Sequence, residues 1–224
     1  MNTEDNKIAL RGELALVVMV VLNSMGVLLM LHSGSGISAI SSVPYAFQLV
    51  FPKLTLGTWT YIFQGFLVLI LMVLSHRFVP AYLFSFVVGF VFGELMDLEE
   101  PFIDQLPLSI PLRAFYFVLS YLILCFGIAL GNRCHLPITP TDLFPRELSH
   151  LIQKPYARVK ITFDLTCLAT TAVITMVGLG HIQGLGIGTV VAACTMGKGI
   201  SLIGSLLDKR FVFHSVLSKR SSVN

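Results

Sequence analysis

LALVVMVVLNSMGVLLML, residues 14–31, runs directly into HSGSGISAISSVPYAF, residues 32–47, and the reading of that junction decides the fold. The first part has no charged residue and only Asn23 and Ser24 as polar side chains. It is close to the about 20 apolar residues that an α-helix needs to cross a bilayer. The second part is too apolar for a solvated loop and too broken by Gly and Pro for another span. It predicts a segment that either dips into the membrane or lies at its surface as a short helix held by proline turns.

Downstream of this junction five more apolar runs follow: Leu56–Leu74, Val79–Leu95, Leu112–Leu130, Val159–Leu179 and Ile182–Ile203. With Leu14–Leu31 they make six. The 224 residues are 55% hydrophobic and 12% charged, with mean hydropathy +0.83. That leaves too little polar surface to cover a water-soluble fold of this size, so lipid is the solvent. The net charge of +3 is too small to argue for nucleic acid as a partner.

The basic residues order the six runs. Lys7 and Arg11 precede the first run, Arg77 follows the second, and Arg133, Arg146, Lys154, Arg158 and Lys160 fill the fourth connection. Lys209, Arg210, Lys219 and Arg220 end the chain. Six crossings put these twelve of the fifteen basic residues on one side. Lys53 and Arg113 fall on the other, with Glu99, Glu100 and Asp104, while Lys198 lies inside the sixth run. The positive-inside rule then makes both termini cytoplasmic. The first run is longer than a signal-peptide core and no small-x-small cleavage site ends it, so it reads as a span. Cys125, Cys134, Cys167 and Cys194 lie in or beside spans without paired spacing and read as small apolar residues. No metal and no cofactor is expected.

An offset of 101 residues pairs Gly26 with Gly127, Leu29 with Leu130, Ile37 with Ile138 and Pro44 with Pro145, and sets Ser38 opposite Thr139. Each half reads as a span, a Gly/Ser/Thr/Pro-rich segment, then two spans joined by a very short turn, His76-Arg77 in one half and Gly180-His181 in the other. The second polar segment is RCHLPITPTDLFPREL, residues 133–148. Three spans per unit is an odd number, so the second unit is inverted relative to the first. The expected fold is an all-α membrane protein of six transmembrane helices as two inverted three-helix repeats, with a polar broken segment after the first helix of each. Residues 1–104 and 105–224 are the repeats of one membrane domain. Small residues four apart, Gly89 and Gly93, Gly127 and Gly131, Gly184 and Gly188, Ala193 and Gly197, are expected to let helix backbones approach closely.

Ionisable groups inside a span are costly and usually face a cavity or one another. Glu94 and Asp97 stand three apart on the third run, Asp164 is on the fifth, four residues after Lys160, and Lys198 is on the sixth. Gln64 aligns with Asp164 in the second run once one gap is allowed, and Asn23 lies in the first. Asp97 also reads as an interface marker beside Glu99 and Glu100, and Lys198 as a side chain that snorkels inward.

The stretches GVLLMLHSGSGISAISSVPYAF, FVVGFVFGELMDL and GLGIGTVVAACTMGKGISLIG together resemble the YczE/YitT-like integral membrane proteins of bacteria, over roughly residues 26–204. The likeness rests on a Gly-Ile-Ser segment after the first span, a Gly followed by an acidic pair, and a Gly-x-Gly-Thr opening the last span. Gly197-Lys198-Gly199 departs from the Gly-Pro-like step common in the last span of such proteins. The resemblance implies a multi-pass protein of the bacterial cell membrane with a transporter-like role.

On this reading the chain is a small permease or exporter of an unknown solute. Ser38, Ser41, Thr139 and Thr141 would line the path, Glu94 or Asp164 would handle a proton or cation, and Gln64 and Lys198 would complete the pathway. The alternative is a substrate-binding or accessory subunit of a larger membrane complex. The expected partners are the lipid bilayer, a small solute, and a second copy or complex partner. Gly-x-Ser-x-Gly, His-Glu-x-x-His and a phosphate loop are all missing from the sequence, so an enzyme is not expected.

Overall fold

In a computed structural model, which describes residues 8–76 and 79–214, helices account for nearly all of the regular structure. In chain order they are α1 (Gly12–His32), α2 (Ser42–Val50), α3 (Leu56–Ser75), α4 (Pro80–Ile103), α5 (Ile110–Gly131), α6 (Pro140–Leu151), α7 (Tyr156–Leu179) and α8 (Ile187–Arg210). Six of them, α1, α3, α4, α5, α7 and α8, are long and apolar enough to cross a membrane. The two short ones, α2 and α6, fall in the two polar segments. Lys7, Arg77, Lys219 and Arg220 lie outside the described residues.

Two spans differ most from their expected bounds, each for a local reason. The third continues as helix to Ile103 instead of ending near Leu95. Its extra turns are held against the start of α3, where Thr55 Oγ1 donates to Asp97 Oδ2 at 2.6 Å and the Gly57 N–H donates to Asp97 Oδ1 at 2.9 Å. A carboxylate at a helix N-terminus takes up free N–H groups and meets the favourable end of the helix dipole. The sixth span starts at Ile187 and not at Ile182. Gly180 closes α7 in a left-handed cap (φ +76°) and Gly184 turns left-handed again (φ +82°), so residues 180–186 form a connection longer than the expected Gly180-His181 turn.

The described ends of the chain meet. Strand β1 (Ile8–Arg11) pairs in parallel with β2 (Phe211–His214), in a register that runs from Ile8↔Phe211 to Arg11↔His214. The start of α1 and the end of α8 therefore share one end of the bundle, as an even number of crossings requires. Arg133, just past α5, donates to Asp208 in the last turns of α8 through Nε to Oδ1 (2.6 Å) and Nη2 to Oδ2 (2.7 Å). So α5 also finishes at that end, and the polar segment after α1 leaves from the opposite end of the bundle to the segment after α5.

Side chains are distributed as in a lipid-solvated protein. Val73, Phe84, Val177, Ile187 and Leu202 are exposed on the helix flanks, whereas Gln64, Ser85, Lys160, Thr171 and Thr175 are buried beside Met19, Met96, Ile138 and Ile200. Hydrocarbon offers no hydrogen bonds, so polar groups gather inside the bundle. Packing contacts occur in counterpart sets. Helix α1 packs on α5; α1 packs on α4 as α5 does on α8; α3 packs on α4 as α7 does on α8; and α2 packs on α3 and α7 as α6 does on α7 and α3. Small residues allow several of these approaches: the Gly57 and Gly93 backbones touch, Gly131 receives Met19, and Gly197 lies against the Ala157 backbone.

Candidate functional site

Each polar segment runs from its end of the bundle into the interior and then turns into a short helix. After α1, the Ser33 hydroxyl donates to Met30 O (2.6 Å), Gly34 adopts φ +72°, and Ile37 to Pro44 are all buried. Ser38 Oγ donates to Ser41 Oγ at 2.8 Å, and Ser42, which opens α2, shares a 2.7 Å hydrogen bond with Thr171 on α7. Helix α2 then climbs back to Phe51, which is exposed. After α5 the same course recurs from the other end. Ile138 to Pro140 are buried, Thr139 Oγ1 donates to Asp142 Oδ2 at 3.0 Å, and α6 returns to exposed residues from His150 to Lys154. The pairs Ser38/Ser41 and Thr139/Asp142 make the same hydrogen bond across the same three-residue step, 101 residues apart.

The inner ends of the two segments meet at a cavity of about 40 Å³ in the centre of the bundle, which Ser38, Ser41, Thr141 and Asp142 all line. That is room for about three waters on the scale where one needs roughly 10–15 Å³. Asn23 on α1, Thr60 on α3, and Lys160 and Asp164 on α7 line it too, with Phe92 of α4 and Ala193 of α8 as apolar wall.

This cavity carries charge. Lys160 Nζ donates to both oxygens of Asp164, at 2.6 and 2.8 Å, and the two side chains are only 2% and 1% exposed. Fully buried ion pairs are retained in a fold only where their hydrogen bonds are well made, because desolvating both charges costs several kcal/mol each. Asp142 is buried as well. Its Oδ2 accepts from Thr139 and, at 3.4 Å, from Asn23 Nδ2, both uncharged donors. Among the described residues it forms no ion pair of its own. Burial pushes its carboxyl up to about 6, against the opposing pull of Lys160 and of the Thr139 hydroxyl. Among the described residues no group of three or more His, Cys, Asp and Glu gathers that could hold a metal ion.

The expected pathway residues divide into two sets. Ser38, Ser41, Thr141 and Asp164 line the cavity, and Thr139 stands behind it, bonded to Asp142. Gln64 is fully buried one turn beyond Thr60, against Gly89 and Pro140, and among the described residues neither of its amide atoms has a hydrogen-bond partner. Glu94 and Lys198 are exposed on the flanks of α4 and α8 and do not line the cavity. Lys160 corrects the charge reading: it lies inside α7, buried, and is no part of a basic loop. Asp142 was not singled out from the sequence. Its signal was its place in the second polar segment, at the position the 101-residue offset pairs with Ser41.

A model of a family of unknown function (DUF6198) matches residues 10–205. No curated protein and no solved structure matches the chain.

Proposed function

The chain belongs to the family of unknown function DUF6198, and from the site described above we propose that it is a small permease of the bacterial cell membrane, with both termini cytoplasmic. The observation that carries the reading is the meeting of two polar segments, entering from opposite ends of the bundle, at one charged central cavity. Discontinuous elements that converge near mid-membrane are a transporter plan, because they let a site be opened to either face by moving one unit against the other.

In this reading the α1 to α4 and α5 to α8 units are inverted repeats. The counterpart helix contacts support that, as do Ser38/Ser41 against Thr139/Asp142, and Thr60 and Gln64 at the i,i+4 spacing of Lys160 and Asp164. Rocking between the units would expose the cavity alternately. The resemblance to YczE/YitT-like proteins points the same way.

Accessibility labelling tests it. In a background lacking the four native cysteines, Ser38→Cys and Thr141→Cys are each expected to react with a membrane-impermeant thiol reagent from both faces of oriented vesicles. Labelling of each from one face only would remove alternating access. Co-purification with an ATPase would instead make the chain a substrate-binding subunit.

A further inference from the structure

We propose that the central cavity is a monovalent-cation site, at which a small cation (an alkali ion or a primary ammonium group) and a proton on Asp142 compete for one place. The proposal deepens the permease reading and rests on it for its part in a transport cycle, but not for binding.

The charge balance of the lining points to this. Lys160 and Asp164 form a closed pair, both carboxylate oxygens being held by one ammonium group. However a proton is shared between them, that pair carries no net charge. Among the described residues the remaining ionisable group lining the cavity is Asp142, so that lining is neutral when Asp142 holds a proton and carries one negative charge when it does not. A single uncompensated negative charge in a low-dielectric site is expensive, which makes either a proton or a cation its natural complement.

The neutral groups agree. The polar part of an otherwise apolar lining is made of oxygen, with the hydroxyls of Ser38, Ser41, Thr60 and Thr141 beside the carboxylates, the donor type that hard monovalent cations take. Asn23, 3% exposed, turns its Nδ2 to Asp142 and its Oδ1 into the space beside Gly127, so it gives the carboxylate a neutral donor and no compensating charge. A cavity of about 40 Å³ admits an alkali ion with a water, or a methylammonium-sized group, and little more.

The titratable and charged groups that face Asp142 from the packed elements are few. From α7 come Lys160, Asp164 and Tyr156, and α6 itself contributes Arg146. From α4, Tyr82 bonds to Glu147 of α6. The α3 side chains at this level, Thr60 and Gln64, and Asn23 of α1 are uncharged. Helix α6 presents Asp142 at its third residue, where the positive end of the helix dipole favours the carboxylate and so permits the exchange. In the exchange step the Asp142 O–H bond breaks, the proton goes to water, and the cation takes its place beside the carboxylate, with total charge conserved.

The test is proton release from the purified full chain in lipid nanodiscs, weakly buffered at a pH of about 6 and read with a pH-sensitive dye. Sodium, potassium or methylammonium chloride is added, with N-methylglucamine chloride as a bulky control at equal ionic strength. At that pH Asp142 is about half protonated, so at least one of the three is expected to release up to about half a proton per chain from wild type and from Glu94→Gln, and none from Asp142→Asn. Thr139→Val keeps the carboxylate but removes a donor to it, so the pH midpoint of release should move up. No release from wild type with any of the three salts, release that persists in Asp142→Asn, or a Thr139→Val midpoint that does not move would each overturn the proposal. Release without two-sided labelling of Ser38→Cys and Thr141→Cys would leave the cation site standing and remove the permease.

Discussion

Asn23 Oδ1, on α1, fills the space in which a Cβ on Gly127 of α5 would sit. The same arrangement recurs between Gln64 of α3 and Gly89 of α4. These two glycines do more than let helices approach. Each makes a notch for a buried amide, and the Asn23 notch holds the side chain that donates to Asp142. Gly127→Ala is therefore expected to destabilise the protein by about 1–3 kcal/mol, the usual cost of overpacking. The clash is with Asn23 in particular, so in an Asn23→Ala background the same substitution should cost less, by a coupling of about 0.5–3 kcal/mol. Thermal or chemical unfolding of the four proteins in one detergent closes the cycle, and strict additivity would refute the notch.

The Lys160 and Asp164 pair predicts a second non-additive series. Lys160→Met leaves a buried carboxylate without its ammonium, and Asp164→Leu leaves the reverse, each at about 3–5 kcal/mol. The double variant removes both charges and is expected to be more stable than either single one. A double variant less stable than both singles would mean that the pair is not the closed unit its 2.6 and 2.8 Å contacts describe.

Much of this architecture was legible in the sequence because bilayer thickness sets a length, and apolar runs of that length are hard to produce otherwise. The polar segments were legible too, since Gly, Ser and Pro within 32–47 and 133–148 break a seventh and an eighth span. What stayed hidden depended on tertiary contacts. The last turns of α4 are kept helical by Asp97 reaching the start of α3, which no local propensity announces. Which face of a helix points inward was equally invisible. Where a span is apolar all round, Glu94 and Asp164 look alike in sequence, yet one is exposed and the other buried. Lys160 read as a loop charge because it stands four residues from the start of α7; its i,i+4 spacing to Asp164 was the better signal.

That contrast is testable directly. Glu94→Gln and Lys198→Gln alter exposed side chains outside the cavity, so each should change stability by no more than about 0.5 kcal/mol and leave proton release intact. The same membrane frame predicts sidedness. Lys53 and Lys154 are both exposed, Lys53 between α2 and α3 and Lys154 between α6 and α7. Cysteines at these two positions should label from opposite faces of the membrane, with 154 on the face that holds the paired strands β1 and β2. Labelling of both from one face would break the six-crossing topology.

Asp142 gives the stability a defined pH dependence. Its carboxyl is raised from an ordinary 3.8 to about 6 in the folded protein, chiefly by burial. The folded state therefore binds the Asp142 proton more tightly than the unfolded state does, and that stabilisation is fully present below about 4 and is lost as pH rises through about 6. The shift corresponds to roughly 3 kcal/mol at about 1.4 kcal/mol per unit. Asp142→Asn mimics the protonated, uncharged form at every pH, so the difference in unfolding free energy between it and wild type should move in the variant's favour across that window and flatten above it. Unfolding in detergent between pH 4 and pH 8, with sodium replaced by N-methylglucamine to keep the cavity free of competing ions, checks both the sign and the window. A difference that is constant with pH would mean that Asp142 does not titrate in the fold, and the exchange of a proton for a cation at that carboxylate would fall with it.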